Sequence, residues 1–187
     1  MKKTIKKLLA AVIACGALML AGCSGYESWA YIYEPDKEAF RMYKNGKAVL
    51  DGTDYTYIKD EQYITLKDKD GVETKMRYEM DKDQMLIYKR AVYQYAGEEE
   101  QNGLIGTWKA ENGWSYEFTD NGTFREDAYF PGYYMVDEEN SRIKLAYNDH
   151  FYDTYIYYSL DGDQLTVDYP WPMMKTQKGS APSGEKK

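Results

Sequence analysis

"RYEMDKDQMLIY" at residues 77–88 and "YYSLDGDQLTVD" at residues 157–168 carry one pattern. Each reads aromatic, apolar, Asp-x-Asp-Gln, then alternating apolar residues. Two further pairs stand upstream in the same order. "FRMYKNGKAV" (40–49) parallels "YEFTDNGTFR" (116–125), and "YTYIKDEQYITL" (55–66) parallels "YYMVDEENSRIKL" (133–145). The offsets run from 76 to 80 residues, a drift that short loop insertions produce. The chain therefore reads as an internal duplication.

Each copy reads as an antiparallel meander. Asn45-Gly46, Asn121-Gly122 and Asp161-Gly162 are hairpin turns, because the central residues of such turns need positive φ. Asp81-Lys82 is the same turn without its glycine, and Asp70-Gly71 separates Tyr63–Lys67 from Glu73–Met80. After the last turn, Leu165, Val167 and Tyr169 alternate with Gln164, Thr166 and Asp168, so one face is buried and one is wet. The second copy yields six or seven strands: Gly106–Ala110, Ser115–Thr119, Thr123–Ala128, Tyr133–Asp137, Arg142–Tyr147, Asp153–Leu160 and Gln164–Tyr169. In the first, Pro35–Asn45 fits a strand from about Phe40, with a helical turn at 35–39. The expected class is all-β, with the meanders forming either one larger barrel or sandwich or two small ones. The expected layout is residues 29–96 for repeat 1, a charged linker at 97–103, residues 104–176 for repeat 2 and a disordered polar tail at 177–187.

A different signal precedes the repeats. Lys2, Lys3, Lys6 and Lys7 lead an uncharged stretch, Leu8–Ala21. At 14 residues it is short of the ~20 that a membrane-spanning helix requires, and it reads as the helix of a signal peptide. Leu20-Ala21-Gly22-Cys23 resembles the lipobox of bacterial lipoproteins. That resemblance implies cleavage after Gly22 and a diacylglycerol on Cys23, whose two acyl chains suffice for stable anchoring. Residues 23–28 would then be a tether of at most ~20 Å, holding the domain close to the extracytoplasmic membrane face.

Cys15 leaves with the leader and Cys23 carries lipid, so the mature chain has no disulfide and no thiolate chemistry. Of 24 basic residues four leave with the leader, and 20 against 31 acids gives a charge of about −11. Such a chain does not seek nucleic acid. Its 21 tyrosines suit pleated, half-buried surfaces.

"LIGTWKAENGWSYEFTDNGTF" at 104–124 resembles the opening of small lipocalin-like domains in bacterial lipoproteins. The matching residues are Leu104, Gly106, Trp108, Tyr116, Phe118, Asn121, Gly122 and Phe124. The resemblance implies a small barrel in which Trp108 packs one end of the core. Because such lipoproteins are frequent in Gram-positive bacteria, it also favours that kind of host envelope. Here the motif sits mid-chain rather than at its start, and the first repeat has no Gly-x-Trp, Trp29 being the nearest candidate. Fold alone fixes no ligand, and small barrels are commonly filled by their own side chains.

Nothing in the sequence points to catalysis, a metal or a cofactor. His150 is the only histidine, and no G-x-S-x-G, HExxH or P-loop occurs. The acidic stretch at 66–77 fails as a calcium loop, since Leu66 and Arg77 fall where carboxylates are needed. In "FYDTYIYYSL" (151–160), Ile156, Tyr158 and Leu160 share a core face, while Tyr155 and Tyr157 share the other with Asp153. Unless the other sheet covers them, those rings form a platform for a glycan or an envelope protein, with Trp171 as a further surface aromatic. The expectation is a membrane-anchored envelope protein with a non-catalytic binding or structural role. The alternatives are a lipocalin-like carrier of a small apolar ligand and, less favoured, an envelope hydrolase.

Overall fold

The computed structural model describes residues 25–98, 100–148 and 153–176. The expected signal helix, Gly22, Cys23, His150 and the tail at 177–187 lie outside the described residues. The first repeat supplies β1 (Tyr26–Tyr31), β2 (Glu38–Tyr43), β3 (Lys47–Leu50), β4 (Thr53–Lys59), β5 (Tyr63–Lys67), β6 (Glu73–Asp81) and β7 (Gln84–Tyr95). The second supplies β8 (Gly106–Ala110), β9 (Ser115–Phe118), β10 (Thr123–Glu126), β11 (Phe130–Asp137), β12 (Arg142–Tyr147), β13 (Thr154–Asp161) and β14 (Gln164–Lys175). No helix occurs among the described residues; of the expected helical turn at 35–39, residues 35–37 are turn and bend and 38–39 already belong to β2. β1 starts at Tyr26, so the 23–28 tether expected from the sequence loses its last three residues to the sheet.

Every strand pairs antiparallel with its sequence neighbours, and β14 pairs with β1, so the fourteen strands close into a ring. One further ladder crosses that ring. β14 pairs with β7 from Gln164↔Gln94 to Met174↔Gln84. On its other edge β7 holds β6 through residues 84–87 and β8 through 93–95. β14 likewise holds β13 through 164–168 and β1 through 173–175. The cross-pairing thus divides the ring into two eight-strand circuits, or lobes, that share the β7/β14 ribbon. Lobe 1 is β1–β6 with the first half of β7 and the second half of β14. Lobe 2 is β8–β13 with the remaining halves. A cut at 97–103 does not separate them, because each borrows half a strand from the other repeat.

The ribbon carries an internal two-fold relation. Lys89 pairs with Tyr169, which is also its counterpart at the repeat offset of 80. Around that pair, Met85 and Ile87 of β7 enter the lobe 1 core with Met173 of β14. Leu165 and Val167 of β14 enter the lobe 2 core with Tyr93 of β7. Odd-numbered residues of both strands face inward throughout, as a period of two requires. Each core is mostly aromatic and aliphatic, and burying one such side chain stabilises by about 1.5–3 kcal/mol. Trp29 and Trp108, at equivalent places, are fully buried.

The two Asn-Gly turns are built alike. Gly46 and Gly122 have φ of 80° and 82°. The Asn45 and Asn121 side chains each accept the backbone N–H two residues on, at 3.2 Å. Gly46 and Gly122 carbonyls accept the N–H of Tyr57 and Tyr134, and these tyrosines donate their hydroxyls to the carbonyls of Tyr43 and Thr119.

β14 runs six residues beyond Tyr169, the end expected from Pro170 and Pro172. Proline lacks an N–H, so it is tolerated only where no ladder bond is needed. The Pro172 carbonyl accepts Ile32 N–H, on the edge away from β7. By alternation Pro170 faces that same edge, and β14 has no strand neighbour there between Asp168 and Met173. The ladder with β7 loses nothing to either proline.

Candidate functional site

That unpaired stretch borders a cleft of about 980 Å³. Tyr169, Pro170, Trp171 and Pro172 all line it. Strand alternation sorts its walls into two compartments, an outer crevice and an inner chamber, which meet along this edge.

The outer crevice lies between β13 and the outward face of the ribbon. Tyr157 packs edge-on against Tyr88, with ring centroids 5.2 Å apart, beneath the Arg77 guanidinium at 4.1 Å. Tyr155 is 45% exposed beside Arg142. Trp171 is not with them. It lies on the inward face, against Tyr31, Tyr33 and Tyr169.

The inner chamber belongs to lobe 2, and the duplication explains why it exists. In lobe 1 the corresponding space is filled by Tyr31 of β1 and Trp171 of β14, whose rings meet at 5.8 Å. The offsets of 79 and 80 place Ala110 and Ala91 at their counterparts. The register agrees, since Tyr31 pairs with Met173, Ala110 pairs with Tyr93, and 173 corresponds to 93. Two large rings in one lobe are two methyl groups in the other. The chamber walls are Ala91, Tyr93, Ala110, Tyr116, Tyr147 and Tyr169, and exposed Trp114, Phe130 and Tyr33 stand at the rim.

At its base is Glu126, only 8% exposed. One carboxylate oxygen accepts the Tyr116 hydroxyl at 2.9 Å and the other accepts the Tyr147 hydroxyl. Tyr169 shares hydrogen bonds with Tyr147 and Thr154. Burial raises the Glu126 pKa, opposed by the two tyrosine hydrogen bonds that favour its charged form. Burial and the nearby carboxylate push Tyr93 up to about 12 and raise Tyr116, Tyr147 and Tyr169, so all four remain protonated donors at neutral pH. No basic side chain pairs with Glu126 among the described residues. The three that line the cleft are engaged elsewhere: Lys89 with Asp51 at 2.7 Å, Arg90 with Asp168 at 2.8 Å and Arg142 with Asp137 at 2.7 Å.

Lobe 1 has no counterpart of this polar base. Extending the 40–49/116–125 alignment by one residue sets Glu126 against Leu50, and Tyr116 already stands against Phe40. Leu50 and Phe40 are buried. Glu126 does not stand out in the sequence, because Arg125-Glu126-Asp127 looks like a charged turn. Two signals mark it: Glu126 shares a strand face with Phe124, and its repeat counterpart is a leucine.

The other motif residues are structural neighbours of the chamber. Gly106 has φ of 123°, and a Cβ there would lie 2.4 Å from the Tyr95 ring. That ring in turn packs edge-on against Trp108 at 5.3 Å. Trp108 donates its indole N–H to the Leu104 carbonyl at 2.8 Å. Among the described residues no three metal-ligating side chains converge. The arrangement is suited to binding an amphipathic molecule: apolar walls, aromatic rim and one desolvated carboxylate. No family model matches the chain, and neither a curated protein nor a solved structure matches it.

Proposed function

We propose that this chain is a lipid-anchored, extracytoplasmic binding protein of the cell envelope that takes a small amphipathic molecule into the lobe 2 chamber without chemistry. One observation carries the reading. Ala91 and Ala110 leave open in lobe 2 the space that Trp171 and Tyr31 fill in lobe 1. An envelope protein with a purely structural role has no need of that difference, because the filled lobe folds on the same plan. The lipobox at Leu20–Cys23 supports the address, and the buried Glu126 makes the ligand amphipathic rather than purely apolar.

The test restores the plug. Ala91→Trp with Ala110→Tyr copies lobe 1 into lobe 2. Native mass spectrometry of the full chain purified from its host membrane is expected to show a bound small molecule in the parent and none in the double variant. A ligand retained by the filled variant, or a parent that carries and takes up nothing, refutes the carrier reading. The address is tested separately: Cys23→Ala is expected to leave the chain unprocessed and without radiolabelled acyl chains.

A further inference from the structure

From the Glu126 site we infer that the ligand carries a cation, an ammonium or guanidinium group, on an apolar body. This rests on the chamber being a binding site, and it specifies what the chamber selects.

The argument is one of charge and cost. A carboxylate removed from water is expensive unless it is paired. Glu126 has two tyrosine hydroxyls and no cation among the described residues. Each oxygen accepts one described hydrogen bond, and a carboxylate oxygen can accept two. The fold does not require the group, since Phe40 and Leu50 serve the same two positions in lobe 1. A desolvated negative charge at the base of an open chamber is therefore a selective feature. It becomes favourable when a positive charge from outside completes the pair.

The walls suit the same chemistry. Tyr93, Tyr116 and Tyr147 surround the carboxylate, and a cation over a tyrosine face is attracted by the ring quadrupole. The cleft's basic residues do not compete for Glu126, because Lys89, Arg90 and Arg142 each hold another carboxylate. Trp114, Phe130 and Tyr33 at the rim match an apolar body that trails from the charged head. The net negative charge of the chain raises the local concentration of cations and lowers that of anions. A neutral ligand gains nothing from that field, and an anionic one is repelled by both the field and Glu126.

The experiment uses three probes with the same phenyl body and different heads: 4-phenylbutylamine, 4-phenylbutanol and 4-phenylbutyrate. Each is titrated by calorimetry into the full chain held in neutral phosphatidylcholine nanodiscs, with empty nanodiscs as the blank. The amine is expected to bind at least tenfold more tightly than the alcohol, and the acid to bind least. Glu126→Gln is expected to abolish the preference while the alcohol still binds. Tyr116→Phe with Glu126→Leu, which copies the lobe 1 pair, is the second variant and should behave the same way even where Gln is poorly tolerated. Equal or tighter binding of the alcohol or acid overturns the cation assignment but leaves the carrier reading standing. Failure of all three probes to bind, with none displacing a co-purified molecule, overturns both.

Discussion

Replacing the polar base of lobe 2 with its lobe 1 equivalent should make the protein more stable. The perturbation is Tyr116→Phe combined with Glu126→Leu, which installs the pair found at Phe40 and Leu50. Glu126→Leu alone removes a buried charge but orphans the hydroxyl of Tyr116, a residue only 1% exposed, which has no other described partner. A buried donor left without an acceptor costs about 1–3 kcal/mol. Tyr147 is less affected because it also bonds Tyr169. The single variant should therefore lie near the parent or below it by up to about 2 kcal/mol, the relief of the buried charge offsetting much of the cost. Adding Tyr116→Phe removes the orphan. Swapping a buried polar set for apolar groups of similar volume commonly stabilises by about 1–4 kcal/mol, and the double variant should gain an amount in that range. The assay is urea unfolding followed by tryptophan fluorescence at neutral pH, with both single variants completing a double-mutant cycle. A double variant less stable than the parent by about 1 kcal/mol or more (roughly a fivefold change in the folding equilibrium) would refute the reasoning. It would mean that the tyrosine–carboxylate cluster contributes net stability and need not be held for a ligand.

Two further outcomes follow from the same geometry. The folded pKa of Glu126 is raised above its usual 4.5, so the native state holds the proton more tightly than the unfolded chain. Stability from this group is therefore greatest in acid and falls as pH rises from about 4.5 through the raised value, and the parent-minus-Glu126→Gln difference should carry that slope from about pH 4.5 upward. A flat difference refutes it. The equivalent tryptophans should differ in cost, because Trp108 donates to the Leu104 carbonyl whereas the buried Trp29 indole N–H has no acceptor among the described residues. Trp108→Phe should destabilise by about 1–3 kcal/mol more than Trp29→Phe in the same urea assay, and equal losses would count against the hydrogen bond's contribution.

Much of the meander was legible because its signals are local. Asn-Gly at 45–46 and 121–122 does mark hairpins, but only the glycine of each pair takes positive φ, the asparagine staying outside that region, and Gly-less Asp81-Lys82 still turns, with Lys82 at φ of 54°. Alternation places Ile156, Tyr158 and Leu160 toward the core, where they are found. The long strand pairing was hidden by Pro170 and Pro172, which read as a stop because sequence does not reveal which edge of a strand is empty. The chamber was hidden for another reason. Alanine carries no positional signal of its own, and Ala91 acquires meaning only beside Trp171, once β7 and β14 are known to serve both lobes. Glu126 lay within reach, since the repeat alignment ends one residue before it.

The shared ribbon bears on how the chain can be made. Lobe 1 takes its closing strand from the second half of β14, whose Met173 reaches its core and whose Lys175 pairs with Trp29. A chain delivered amino end first has all of β1 to β7 long before residue 173 appears. Lobe 1 must wait open, its edges on β1 and the first half of β7 unpaired, until nearly the last described residue arrives. Pairing across so long a separation is slow to form. Such a chain is ill suited to folding piecemeal during synthesis, and both lobes close together only once β14 is in place.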